Sequence, residues 1–511
     1  MTPEELLDSL RERGVELHLS GLDLRVRAPK GALTDQLTRL IAEHKPALVH
    51  LLGSGSVAGI RPKWRGEDSE LSFMQESMWY FSKAGVASAY NVVAAYHLVG
   101  ELDYGAMQRS INDLVARHAM LRAFVVEDEG RPLLRYATSL TLELPLDDLS
   151  GLPHAERMTE CHDRIRAEYF HDFDVGRPPL VYFRLFKVSE VEWVLYCNLH
   201  HMLTDAFSFS VIVRELAAGY AARREGLDPA LPPLPLQFPD WIGWQRRQHE
   251  SPRVAEDIEY WKHTLRRPLP NFELRPDRPR KRAFDLSGAD YPFEVSPEKR
   301  DRMSDVGRTV GATPFMVMMA SLKLAIHYLT GSEDVIVGTP VSGRNHPALG
   351  ALIGGFLNTI PVRSVVDPDR TLRDFLLTVK ADLLGALAHQ GAPFKDVVRS
   401  LGLPHDPSRT PIYQVSLNLW DISDRPVVWG NLQAARFHVS TPWTHAEYAM
   451  WLMNSVDQGI EGMCTFATEL FDRESGLRMG EAVHQVLDFY LEHPERKISE
   501  LSLVTPRERA D

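Results

Sequence analysis

Residues 191–208 read Val191-Glu192-Trp193-Val194-Leu195-Tyr196-Cys197-Asn198-Leu199-His200-His201-Met202-Leu203-Thr204-Asp205-Ala206-Phe207-Ser208. Val191, Trp193, Leu195, Cys197 and Leu199 form one apolar row, with Val194 and Tyr196 on the opposite alternation. Apolar residues on both alternations predict a strand buried on both faces. Phe207, Val211, Ile212 and Leu216 then recur at helical spacing and predict a helix from Ala206 to Arg224. Strand, loop and helix meet at His200 and His201, so a candidate histidine base and a candidate structural carboxylate, Asp205, share one short loop. The strand-to-helix junction points to a mixed α/β fold.

Composition limits what that loop can serve. With 511 residues and 44% hydrophobic content the chain can build two or three cores. Fifty-seven Lys and Arg against 69 Asp and Glu give a net charge of -12, which disfavours nucleic acid and anionic membrane as main partners. Cys161, Cys197 and Cys464 are too few and too scattered for a disulfide framework or a thiolate metal site. The start, Met1-Thr2-Pro3-Glu4-Glu5, lacks a basic region followed by an apolar run, and no long apolar span occurs. A cytoplasmic protein is expected. No metal is expected either: adjacent strand residues point to opposite faces, no HExxH or paired CxxC supplies further ligands, and His445-Ala446-Glu447 does not complete a set.

Residues 1–52 predict a separate small α-β-β-α-α unit. Thr2 caps a helix carrying Leu6, Leu7 and Leu10 that ends at Gly14. Val15, Leu17 and Leu19 alternate, Ser20-Gly21 turns, and Leu22, Leu24 and Val26 alternate again, which predicts a hairpin. Leu33, Leu37, Leu40 and Ile41 mark a second helix, and Pro46 starts a third. Gly53-Ser54-Gly55-Ser56 and the polar residues to 68 read as a linker. So small a core is marginal alone, so dimerisation or partner binding is expected.

The unit resembles the tubulysin-type N-terminal docking domains of nonribosomal peptide and hybrid polyketide assembly lines. That resemblance implies that the hairpin receives the C-terminal tail of an upstream subunit as an added strand, with Arg25 and Arg27 reading the tail. Solvated edge charges that block aggregation are the alternative role for both arginines.

The rest of the chain resembles nonribosomal peptide condensation domains. The matches are Leu71-Ser72-Phe73-Met74-Gln75-Glu76-Ser77-Met78-Trp79 with its continuation Tyr90-Asn91-Val92, Arg117 to Phe124, His200 to Ser208, Phe238 to Gln245, Gly338 to Arg344, Ile353 to Thr359, His389 to Phe394 and Asp406 to Gln414. Their order carries the weight, since among 20 histidines in 511 positions about one adjacent pair is expected by chance.

The resemblance implies two chloramphenicol-acetyltransferase-like lobes in a V-shaped pseudodimer with a tunnel between them, residues 69–250 and 251–505. It implies amide formation between an upstream carrier-bound acyl or peptidyl thioester and a downstream carrier-bound aminoacyl amine. The domain would bind no cofactor itself; both carriers would deliver phosphopantetheine thioesters. His201 would take a proton from the amine or orient it, either being open to an imidazole near its usual pKa of about 6.5. His200 would pack behind it. Asp205 would be structural, paired with Arg344, and Ser208 and Asn358 would be polar groups behind the site or along the tunnel.

Three features depart from the family pattern. Ala206 stands where Gly is usual and Phe207 where Trp is frequent; an alanine there adds a methyl at the tunnel and resists positive φ. Ala119 replaces a usual Glu, removing a partner for Arg117 or Arg122. Thr441 to Glu447 replaces a common Phe-Asp-Leu sequence. A subtype that also dehydrates the donor residue would suit such changes. His200 weighs against heterocyclisation and the leading docking unit against epimerisation; retained His201 weighs against a noncatalytic recruitment platform. A free-standing acyltransferase of the same superfamily is a further alternative. Without adenylation or carrier motifs, the sequence is expected to be a piece of a larger subunit.

Overall fold

The computed structural model describes residues 6, 10, 15–20, 23–28, 34, 37–38, 40–41, 60–83, 87–270, 274–344, 346–421, 427–455 and 458–503. Strand Glu192–His200 is the middle of a five-stranded sheet ordered Gln433–Phe437, Asn91–Val99, Glu192–His200, Val181–Lys187, Leu146–Asp148. Its immediate neighbours run antiparallel, with Asn91 opposite His200 and Val181 opposite Leu199.

The two alternations of this strand enter different cores. Trp193, Leu195, Cys197 and Leu199 pack with residues of helices Tyr104–Arg117 and Ala206–Arg224. Val194 and Tyr196 pack with Cys161 and Ile165 of helix His154–Glu168. Each fully buried side chain of this kind stabilises the fold by about 1.5–3 kcal/mol, and the polar exception between Trp193 and Leu199 is Asn198, whose Nδ2 donates to Glu168 O at 3.1 Å.

The second half forms a six-stranded sheet ordered Gly288–Val295, Gly459–Ala467, Tyr448–Ser455, Val415–Asp421, Asp334–Val341, Asn358–Val365. Helix Pro314–Thr330 belongs to its core and is buried on all sides from Met316 to Ile326, as an apolar helix must be. Thr313 caps it, Pro314 occupies its first turn, and Gly331 closes it at φ +74°. Lys323 lies inside this helix, fully buried, and donates to Val362 O and Ser364 Oγ, each at 2.8 Å.

Two segments of the second half join the first. Leu349, Leu352, Ile353 and Phe356, then Trp429 and Leu432, complete the first-half core, and strand Gln433–Phe437 pairs along Asn91–Val99. A division into consecutive lobes at residue 250 therefore omits both excursions. Ion pairs reinforce the join: Glu76, on helix Phe73–Lys83, binds Arg246 and also Lys395 of the second half.

Residues 60–68, within the expected linker, lie along the first half. Lys63 N and Trp64 N donate to Asp240 Oδ1 at 2.7 and 2.8 Å, and the Trp64 ring meets Tyr136 edge-on at 4.8 Å. In the small N-terminal unit, strands Glu16–Ser20 and Asp23–Arg27 pair antiparallel, and Leu6, Leu10, Val15, Leu37 and Ile41 form a core. Arg25 lies opposite His18 and Arg27 opposite Glu16. The expected third helix from Pro46 lies outside the described residues. Among the described residues, no single helix is long and apolar enough to cross a membrane.

Candidate active site

His200 ends the central strand and is fully buried. Its Nδ1 accepts from Met202 N at 3.2 Å and so caps the turn His201–Leu203. Burial, reinforced by the neighbouring His201, pushes its pKa down to about 3, so it is neutral and supports the loop.

His201 is different because its ring is only partly buried. Its Nδ1 lies 2.7 Å from Thr204 O. A carbonyl oxygen can only accept, so Nδ1 carries the proton and Nε2 keeps its lone pair. Among the described residues Nε2 has no hydrogen-bond partner. Burial holds the pKa below the usual histidine value, against the opposing pull of the Thr204 bond and the Asp205 charge. The arrangement presents a neutral acceptor nitrogen.

Asp205 is the N-cap of helix Ala206–Arg224 and is fully buried. Oδ1 accepts from Ser208 N at 2.7 Å and from Arg344 Nη2 at 3.1 Å, while Oδ2 accepts from Phe356 N at 3.1 Å. Ser208 Oγ lies 2.8 Å from Asp205 Oδ1 and 2.9 Å from Gly354 O, and accepts from Arg344 Nη2 at 2.7 Å. Arg344 Nη1 donates to Leu349 O and Leu352 O at 2.6 and 2.9 Å. Its guanidinium lies 3.9 Å from the Phe356 ring centre and 4.7 Å from that of Phe207. The aromatic at 207 thus covers the arginine.

Ala206 is the first residue of the helix and is not among the positive-φ residues. Glycine's conformational freedom is not needed there, so the strain expected of an alanine does not arise. Asn358 is committed elsewhere: its Nδ2 donates to Gln390 O and Ala392 O at 2.9 and 2.8 Å, and its Oδ1 accepts from Phe394 N. It clamps the loop before helix Phe394–Ser400. Arg117, despite Ala119, finds a carboxylate in Glu215 at 3.0 Å, and His118 shares it at 2.8 Å.

Several contributors escaped sequence reasoning. Gln75, buried, donates to Met202 O at 2.8 Å and braces the turn His201–Leu203. Gly354 lies against Phe238 so closely that a Cβ would overlap the ring. Both lay inside recognised motifs, but only their folded neighbours reveal their tasks. Tyr90 immediately precedes Asn91, whose pairing with His200 ends the ladder beside the turn His201–Leu203. On Tyr90 stacks His445, with ring centres 4.9 Å apart and planes 27° apart. Burial, and then the nearby His201, push the His445 pKa down to about 4.

A family model described as Condensation domain matches residues 66–511. The chain belongs to the condensation-domain family. A TubC N-terminal docking domain model matches residues 4–53 ahead of it. A linear gramicidin synthase of Brevibacillus parabrevis is 30% identical to this condensation-domain chain over 490 residues, 95% of this chain and 10% of that protein. Phosphinothricin tripeptide synthetase PhsB of Streptomyces viridochromogenes is 31% identical over 445 residues, 86% of this chain and 37% of that one. The chain thus spans well under half the length of these relatives. Its fold is similar to the first condensation domain of the calcium-dependent antibiotic synthetase, with TM-score 0.75 and 21% identity over 86% of this chain and 100% of that one. It is similar also to the X-domain from teicoplanin biosynthesis, with TM-score 0.78 and 24% identity over 87% and 100%. Condensation domains of this family work in nonribosomal peptide assembly lines, on thioesters held by carrier proteins, and form amide bonds.

Proposed function

We propose that this domain joins an acyl or peptidyl thioester on an upstream carrier to an aminoacyl amine on a downstream carrier. The amine attacks the donor carbonyl, the C–N bond forms and the C–S bond breaks. One amine proton passes to His201 Nε2 and then to the departing thiolate. The observation that carries this reading is the unpartnered Nε2 of His201, fixed as an acceptor by the bond from Nδ1 to Thr204 O. Asp205 and Arg344 hold the loop and do not touch substrate in this reading. Fixed proximity of two phosphopantetheine arms supplies much of the acceleration.

Docking follows the same reading: residues 1–52 receive an upstream subunit's C-terminal tail along strand Asp23–Arg27, read by Arg25 and Arg27, and self-associate as a small core favours. Residues 60–68, anchored on Asp240, then form the last part of the connection to the catalytic body. A cytoplasmic setting is supported by three buried, unpaired cysteines.

The test is a two-carrier transfer assay read by intact mass. His201→Ala is expected to slow product formation by about 10²–10⁴-fold; an unchanged rate rejects the proposal.

A further inference from the structure

A neutral primary amine has two N–H bonds and one lone pair, and only the lone pair can meet the donor carbonyl. If one N–H is held by a single acceptor, the amine still rotates about that hydrogen bond, and most orientations turn the lone pair away. A second acceptor on the other N–H removes that freedom, the kind of orientation that proximity catalysis needs. His201 Nε2 supplies one acceptor. A second imidazole, His445, lies near the turn His201–Leu203 through its stack on Tyr90.

Four observations bear on His445. It stacks on Tyr90, whose chain neighbour Asn91 pairs with His200, the residue before His201. The two imidazoles are close enough that charge on one disfavours charge on the other, and burial keeps His445 neutral. A neutral imidazole always has one acceptor nitrogen, and among the described residues neither ring nitrogen of His445 is hydrogen-bonded. Its backbone is pinned on both sides: Thr410 Oγ1 donates to His445 O at 3.2 Å, and Thr444 Oγ1 to Ala446 O at 2.7 Å. A residue held this firmly, with an uncommitted ring, is built to meet something that arrives.

We propose that His445 is a second amine-binding residue, which with His201 accepts the two N–H bonds of a primary amine and aims its lone pair at the thioester carbonyl. The inference rests on His201 being the first acceptor. It makes the site selective for primary over secondary amines, because an N-methyl amine has only one N–H and gains nothing from the second imidazole.

The test uses two small acceptors that differ by one methyl, the glycyl and sarcosyl thioesters of N-acetylcysteamine, with an acylated upstream carrier as donor. His445→Phe keeps the Tyr90 stack and removes the acceptor. It is expected to lower kcat/KM for the glycyl thioester about tenfold, to leave the sarcosyl rate within about twofold, and to leave the melting temperature unchanged. His445→Asn, which retains an acceptor oxygen, is expected to keep more of the primary-amine preference than His445→Phe. Unchanged glycyl transfer in His445→Phe, or an equal fall for both amines, overturns the inference. His201→Ala in the same assay separates the layers: if it abolishes transfer while His445→Phe does not affect it, only the role of His445 fails; if neither matters, the catalytic reading fails as well.

Discussion

Arg344 Nη2 meets Asp205 Oδ1 at 3.1 Å across 139 residues of sequence, with side chains 3% and 0% exposed. One end of the pair caps the helix that follows the turn His201–Leu203, and the other is tied to the carbonyls of Leu349 and Leu352. The two halves of the domain are joined at the point where His201 is presented.

Removing one partner leaves a buried charge uncompensated. Arg344→Ala is therefore expected to destabilise the protein by about 3–5 kcal/mol, measured by urea denaturation. Combining it with Asp205→Asn is expected to recover part of that loss, because the stranded charge is gone. Full additivity of the two losses would contradict the pairing.

Because burial lowers the His201 pKa, the imidazole stays neutral to a more acidic pH than a free histidine. A base of this kind is active above its pKa and lost as pH falls through it. With a weakly basic alkoxyamine acceptor, whose own protonation lies far below neutrality, the acid limb of kcat/KM is expected below the usual histidine pKa of about 6.5. A limb at or above that value would remove His201 from the proton path.

Lys323 offers a separate pH signature. Burial pushes its pKa down to about 7, partly countered by Asp382 and Asp334. Between that value and the ordinary lysine pKa of about 10.4 the unfolded chain binds the extra proton, so stability rises with pH across this window, and on acidification the loss is complete near pH 7. Lys323→Met is expected to flatten that rise and to stabilise the protein at neutral pH, seen in urea midpoints from about pH 6.5 to about pH 10.

Gly354→Ala places a methyl on the Phe238 ring, whereas Gly355→Ala meets the flexible end of Met74, Sδ at 3.2 Å. The first is expected to cost about 1–3 kcal/mol, as overpacking does, and to slow transfer by displacing the Phe356 N–H that holds Asp205. The second is expected to be milder on both counts. Equal melting temperatures for the two variants would refute the packing argument.

The central strand and the helix from Ala206 were legible because their apolar spacing repeats within a few residues. The pairing of Asp205 with Arg344 was not, since no local period links residues so far apart, and only likeness to a family suggested it. Strand Gln433–Phe437 hid because four of its five residues are exposed; an edge strand of that kind leaves almost no apolar signal. Residues 60–68 looked like a tether because their anchoring uses backbone N–H groups, which are the same in every sequence. The concern over Ala206 dissolved for a local reason: a first helical position suits alanine well.

Strand Gln433–Phe437 has a practical bearing on chimeric synthetases. It lies far along the chain yet seals the margin of the sheet that carries His200. An exchange of sequence between relatives that breaks near residue 250 would pair that margin with a foreign ribbon, and a protein truncated there would expose it to self-association. Crossover points that keep 91–99 and 433–437 from the same parent preserve the native seam.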